Sequence, residues 1–282
     1  MSQLIDGKAL AAKLRGQIRE QAQEYRQRYG EEIGLAVVLV GNDPASEVYV
    51  RNKIKACEEV GIRSYSYRLP AETRQEQLEE LIDTLVEDRR VHGILVQLPL
   101  PKHLDERAAL SRIPAAKDVD GFCAENVGNL AMGRETLVAC TPHGVMKMLE
   151  EYGVDPKGKR AVVLGRSNIV GKPMAMLLLN ADATVTVCHS KTQGLQEICA
   201  QADILVVAVG RAKFVTADMV KEGAVVIDVG MDRDENGKLC GDVDFASVQG
   251  KASLITPVPG GVGPMTITML LYNTVVAARR SK

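Results

Sequence analysis

Tyr49 and Lys53 stand four residues apart in Ser46-Glu-Val-Tyr-Val-Arg-Asn-Lys53, just past the loop that follows the first apolar run. On a helix that spacing puts both side chains on one face. An aromatic ring there can pack on a flat substrate and an amine can move a proton. With Arg51 and Lys55 as neighbours, the lysine reads equally as a solvated surface charge. Gln97 bears on the choice. It interrupts the apolar run Ile94-Leu-Val-Gln-Leu98, where a polar side chain needs a hydrogen-bond partner or costs on the order of 1–3 kcal/mol. A lysine from a neighbouring strand-end turn would serve. Asp118 and Asp120, in Lys117-Asp-Val-Asp-Gly121, read either as a polar turn with side chain to backbone bonds or as a recognition element, with Asp118 expected to matter less.

Two further stretches suggest ligand contact. Ala161-Val-Val-Leu-Gly165 is a short apolar run that breaks at a glycine, and a helix resumes by Pro173. The free N–H groups at such a helix start favour an anion. Gly165 and Gly171 do not make the G-x-G-x-x-G of a common NAD fingerprint, so the stretch reads as a partial dinucleotide site or as an ordinary strand-to-helix turn. Pro257-Val-Pro-Gly-Gly-Val-Gly-Pro264 follows neither helical nor strand periodicity, and its glycines let backbone approach either another backbone or a ligand. The six cysteines are scattered, with no Cys-x-x-Cys and no histidine at ligand spacing. That argues against a disulfide framework and against a metal site.

These residues need strands to end where they begin. Leu35–Val40, Ile62–Leu69 and Gly93–Leu98 are strand candidates. Between them lie a helix from Glu47 to Val60, capped by Ser46 and stopped by Gly61, and a helix opened by a capping box at Thr73–Glu76. An amphipathic helix from Leu10 to Tyr29 precedes them. After an irregular stretch and a helix from Thr141 to Tyr152, apolar runs recur at 162–164, 184–188, 204–209 and 225–229. Gaps of about twenty residues are those of βα units in a doubly wound parallel sheet. The expected architecture is two α/β domains, 1–140 and 141–264, with a C-terminal helix at 265–282. At 46% hydrophobic and 25% charged, with formal charge −1, the composition is that of a globular protein and offers no reason to expect nucleic acid or membrane as partner. No run reaches the ~18 apolar residues of a membrane span, and a cytoplasmic location is expected.

Ser46-x-x-Tyr49-x-x-x-Lys53, Val96-Gln97-Leu98-Pro99-Leu100-Pro101, Lys117-Asp-Val-Asp120-Gly121, Gly165-Arg-Ser-x-x-Val-Gly-x-Pro173, Cys188-His-Ser190 and Pro259-Gly-Gly-Val-Gly-Pro-Met-Thr266 together resemble the bifunctional methylenetetrahydrofolate dehydrogenase and methenyltetrahydrofolate cyclohydrolase (FolD) family, over essentially the full length. The resemblance implies a first domain that holds folate and a Rossmann-like second that binds NADP, with the final helix packing back on the first. It implies that Lys53 is the catalytic lysine, that Tyr49 packs on the folate and that Gln97 partners the lysine. Val96, Leu98, Pro259, Gly260 and Gly261 join the substrate site, and Asp120 holds the pterin. Gly165, Arg166, Ser167 and Ser190 contact NADP, and the protein is a homodimer. His189-Ser190-Lys191 stands where an NAD enzyme usually carries an acid, which favours a 2′-phosphate. A dehydrogenase without cyclohydrolase activity, using NAD or NADP, and a non-catalytic nucleotide-binding protein remain as alternatives.

Overall fold

Gly34-Leu-Ala-Val-Val-Leu-Val40 has no polar side chain, and in the computed structural model, which describes residues 2–282 apart from the side chain of Ala45, it is buried along its whole length. A strand β1 (Gln3–Leu4) and a helix α1 (Gly7–Tyr29) precede it. This strand, β2 (Gly34–Val40), is flanked in parallel by β3 (Arg63–Leu69) and β4 (Gly93–Val96). A central parallel strand is covered on both faces, which is why it is apolar throughout.

Two crossover helices join the three strands. Helix α2 (Pro44–Val60) starts where the Asp43 carboxylate accepts the Ser46 N–H at 2.8 Å, with Pro44 in the first turn, and stops at Gly61 with φ 76°. The cap expected at Ser46 therefore lies three residues earlier, and Ser46 is buried within the helix. Helix α3 (Gln75–Glu87) begins one residue later than the expected box: Gln77 Oε1 accepts the Arg74 N–H at 3.0 Å, and the Thr73 hydroxyl donates to the Pro70 carbonyl. Its Leu78, Ile82 and Leu85 join Ala36, Val38, Ile94 and Val96 in one core cluster. Each such aliphatic side chain contributes about 1.5–3 kcal/mol by leaving water. Beyond β4 come α4 (Glu106–Ser111), α5 (Ala124–Ala131) and α6 (Cys140–Glu151).

The βα beat then repeats as β5 (Arg160–Leu164), α7 (Gly171–Asn180), β6 (Thr184–Cys188), α8 (Leu195–Cys199), β7 (Ile204–Val207) and β8 (Val225–Asp228). A small hairpin of β9 (Asp232–Arg233) and β10 (Leu239–Cys240), then α9 (Phe245–Val248), β11 (Leu254–Ile255) and α10 (Val262–Arg280) complete the chain. The large sheet runs β1-β11-β8-β7-β5-β6 and is parallel throughout. It is the doubly wound sheet expected from the spacing, extended by β11 and β1.

Two compact units result, the first made of Lys13–Cys140 with Ile267–Lys282, the second of the chain up to Ala12 with Thr141–Thr266. The first twelve residues thus leave the group in which sequence reasoning placed them. Gln3 and Leu4 pair with Leu254 and Ile255, the Lys8 N–H donates to the Gly260 carbonyl, and a Cβ on Gly7 would stand 1.9 Å from the Gly261 oxygen. The final helix does return to the first unit, where Arg15 Nε donates to the Thr268 hydroxyl at 3.2 Å. Among the described residues no helix is long and apolar enough to cross a membrane. The cysteines are all free thiols.

Candidate active site and nucleotide turn

Lys53 lies in α2, on the crossover that leaves the carboxyl end of β2, and Gln97 follows β4, the strand beside it. The Gln97 N–H still donates to the Val38 carbonyl at 2.8 Å, one step beyond the strand, so its side chain leaves the sheet at a fixed height. Lys53 Nζ donates to Gln97 Oε1 at 3.0 Å, and Gln97 Nε2 donates to the Leu98 carbonyl at 2.7 Å. Both ends of the amide are committed, so its oxygen stays turned toward the amine. The partner that Gln97 requires is the lysine. Tyr49 stands one turn earlier on the same helix and is 42% exposed, leaving much of its ring open to contact. Leu98 is half-buried, whereas the Val96 side chain is 2% exposed and packed in the core. Val96 therefore offers no side-chain contact, because it faces the layer of α3.

Asp120 reaches the same sheet by a short parallel pairing. The Ile94 N–H donates to the Lys117 carbonyl at 2.9 Å, and the missing side chain of Gly93 makes room for Val119, whose Cγ1 would lie 2.5 Å from a Cβ there. Burial pushes the Asp120 carboxyl up to about 6, against the pull of the Lys53 ammonium. Asp118 is buried and holds the loop: it accepts the Gly121 and Cys123 N–H groups and the Asn126 side-chain amide at 2.8–3.1 Å. Its carboxylate is thus a staple of the turn, which is the polar-turn reading of this stretch and leaves Asp120 as the carboxylate open to ligand. The neighbouring Cys140 thiol is pushed well up by burial and donates to the Val119 carbonyl.

Sequence reasoning missed Asn273. Its amide donates at 2.8 Å to both the Val119 and the Val138 carbonyls, pinning the residue before Asp120 from α10. The signal was present, since a lone asparagine in Met-Leu-Leu-Tyr-Asn-Thr-Val-Val276 poses the question that Gln97 posed. Asn273→Leu takes the side-chain donor from the half-buried Val138 carbonyl and leaves the Val119 carbonyl with only the weak Cys140 thiol, and is expected to lower unfolding free energy by about 1–3 kcal/mol, read by urea denaturation. A variant as stable as the parent would exclude this role for the amide.

In the second unit, the turn after β5 admits only glycine at two points. Gly165 has φ 124°, and a Cβ on it would meet the Ala208 carbonyl oxygen at 2.2 Å; one on Gly171 would meet the Gly165 oxygen at 2.2 Å. The Ser167 hydroxyl accepts the Val170 and Gly171 N–H groups at 3.1 and 3.3 Å, which leaves its own proton to donate outward. The Gly165 N–H donates to the Cys188 carbonyl, joining this turn to the one after β6. Arg166 and Ser190 are both exposed at these strand ends. The His189 ring accepts the Lys191 N–H, and the His189 N–H donates to the Thr192 hydroxyl, so His189 holds its turn together. A guanidinium and two hydroxyls, with no acid among residues 189–191, are donors that a nucleotide phosphate needs, and NADP fits them; the first N–H groups of α7 are already bonded to Ser167. Pro259, Gly260 and Gly261 also belong to this unit, in a loop seated on the start of α1; Pro259 is exposed and Gly261 buried.

Two family models cover nearly the whole chain: tetrahydrofolate dehydrogenase/cyclohydrolase, catalytic domain, over residues 5–120, and its NAD(P)-binding domain over residues 139–282. The bifunctional protein FolD of Moorella thermoacetica is 60% identical over 279 residues, 99% of each chain. The crystal structure of the Campylobacter jejuni FolD methylenetetrahydrofolate dehydrogenase/cyclohydrolase superposes with TM-score 0.98 at 53% identity, covering 100% of both chains. The Trypanosoma brucei enzyme, solved with NADP and an inhibitor, superposes with TM-score 0.95 at 44% identity over 99% of this chain and 98% of that one. The chain belongs to the tetrahydrofolate dehydrogenase/cyclohydrolase family, whose bifunctional members are called FolD.

Proposed function

We infer that this chain catalyses two successive steps of one-carbon metabolism, the NADP-dependent oxidation of 5,10-methylenetetrahydrofolate to 5,10-methenyltetrahydrofolate and the hydrolysis of that product to 10-formyltetrahydrofolate. The observation that carries the reading is the amine–amide pair of Lys53 and Gln97 beside Asp120, in a chain with bifunctional relatives along its length.

The oxidised carbon lies between two nitrogens, whose lone pairs stabilise the cation left when hydride departs, so this step asks the protein mainly for placement. NADP, when bound, supplies the hydride acceptor. Tyr49 offers a ring on which the flat substrate packs. Asp120 supplies two acceptor oxygens for the adjacent N–H donors of an aminopyrimidinone edge. Hydrolysis asks for more. Water adds to the cationic carbon and gives one proton to the Lys53 amine; the carbon–nitrogen bond then breaks as the leaving ring nitrogen takes that proton back from the ammonium, and the hydroxyl left on the carbon releases its own proton to solvent as the formyl C=O forms. Gln97 orients the lysine in both states without adding a charge.

Arg166, with Ser190, is assigned to the 2′-phosphate. Arg166→Ala should raise KM for NADP by about tenfold or more, the loss of a charge-assisted contact, while leaving KM for NAD nearly unchanged. Steady-state kinetics with both nucleotides decides, and a variant that keeps its NADP preference removes Arg166 from this role. Growth of NADPH absorbance with methylenetetrahydrofolate, set against decay of methenyltetrahydrofolate without nucleotide, tests the two activities directly. An enzyme that shows only the first would be a dehydrogenase alone. The proposed homodimer is read by analytical ultracentrifugation, and the cytoplasmic location by fractionation of the source cell.

A further inference from the structure

Beyond the residues that face ligand, the second unit contains a carboxylate whose oxygens are occupied by its own chain. Asp242 is 0% exposed. Its Oδ2 accepts the N–H groups of Val209 and Gly210 at 2.6 and 3.1 Å, and its Oδ1 accepts that of Arg211 at 2.7 Å. Three successive amides converging on one anion form a backbone nest, here filled from within. The loop so held leaves the carboxyl end of β7 and starts at Ala208. The Ala208 carbonyl is the atom against which Gly165 closes its turn.

Asp242 is itself held. Asp228 Oδ1 accepts the Asp242 N–H at 3.0 Å and the Gly230 N–H at 2.9 Å, and its Oδ2 accepts the Val243 N–H at 2.9 Å. The fit excludes side chains: a Cβ on Gly241 would stand 2.0 Å from Asp228 Oδ2, and one on Gly230 would stand 2.4 Å from the Asp242 nitrogen. The chain of contacts therefore runs from Asp228 through Asp242 and the 209–211 amides to the glycine turn after β5.

We propose that Asp242 is a positioning residue of the nucleotide site, fixing the loop after β7 against the Gly165 turn and so setting NADP affinity without touching the nucleotide. The proposal rests on the reading of the Gly165 turn as the NADP site. An asparagine at 242 keeps only one acceptor oxygen and turns an NH2 group toward the N–H groups on its other side, so the nest loses at least one of its three bonds. Gly210, at φ 67° with open space around its absent side chain, gives a milder probe, because alanine there strains only the loop backbone.

The experiment titrates NADPH fluorescence and measures both activities for the parent, Asp242→Asn, Gly210→Ala and Gly165→Ala. Asp242→Asn is expected to raise Kd and KM for the nucleotide at least tenfold and Gly210→Ala at least threefold, with the cyclohydrolase kcat/KM, measured without nucleotide, kept within twofold. General loss of structure would instead lower both activities together. If Gly165→Ala weakens NADPH binding while Asp242→Asn leaves it unchanged, the proposal is overturned. Should Asp242→Asn fail to fold, unchanged Kd in Gly210→Ala overturns it. If Gly165→Ala itself binds NADPH like the parent, the nucleotide-site reading falls first, and the positioning role with it.

Discussion

Lys53→Met should lower methenyltetrahydrofolate hydrolysis at least 100-fold more than it lowers methylenetetrahydrofolate oxidation. Water attack and departure of the ring nitrogen each move a proton, and a positioned side chain is worth ~10²–10⁴-fold in such a step. Hydride departure leaves a cation stabilised by its own nitrogens, so losing the amine costs that step mainly through placement. Methionine keeps the length and apolar stem and removes only the group that exchanges protons. Both assays run on one preparation, with circular dichroism and NADP binding confirming an intact fold. Gln97→Ala removes the amide oxygen 3.0 Å from Lys53 Nζ and should move the pH dependence of hydrolysis while leaving that of oxidation in place. Hydrolysis at the parent rate in Lys53→Met would return this lysine to the status of a surface charge.

Replacing Asp120 should strike both activities together. Asp120→Ala is expected to weaken folate binding about 10- to 100-fold, the loss of charge-assisted bonds worth about 1.5–3 kcal/mol, with kcat/KM of each reaction falling in step. A pH signature follows from the same carboxyl, raised to about 6. As pH falls through that value the carboxylate gains a proton and one acceptor becomes a donor, so folate affinity should decline below about pH 6, and Asp120→Asn should lack this limb. Stability moves the other way. With its pKa raised in the folded state, Asp120 favours unfolding while ionised, and this penalty lessens as pH falls through about 6 toward the unfolded value. Asp120→Asn at pH 7.5 should therefore be no less stable than the parent by thermal melting. An Asp120→Ala enzyme that binds folate normally would refute the assignment.

The site was legible where burial forces a question. Gln97 in an apolar run demanded a partner, and the turn chemistry of the preceding crossover indicated where a lysine could supply it. The parallel core strands were legible for a similar reason, since a strand covered on both faces has no room for polar side chains. Errors arose where several residues offer the same local bond. Asp43 and Ser46 can both cap α2, and Pro44, a residue suited to the first helical turn, selects Asp43. The resemblance places Val96 in the substrate motif, and alternation along β4 sends its side chain into the core, which leaves only its backbone to serve there. Two-residue strands such as β1 and β11 carry no period to read, and their pairing joins opposite ends of the chain. Asp118 shows that a buried charge can be structural when three donors surround it.

The Asn273 clamp has a consequence during synthesis. Residues 13–140 leave the ribosome first, yet their unit is complete only after residues 267–282 have followed the whole stretch from Thr141 to Thr266. At ~5–20 residues per second that interval is on the order of ten seconds. Through it the nascent first unit holds the carbonyls of Val119 and Val138 without their asparagine donor. A gene cut at the 140/141 junction would leave the encoded fragment in that unfinished state permanently, whereas supplying residues 267–282 as a separate peptide would provide its missing last piece.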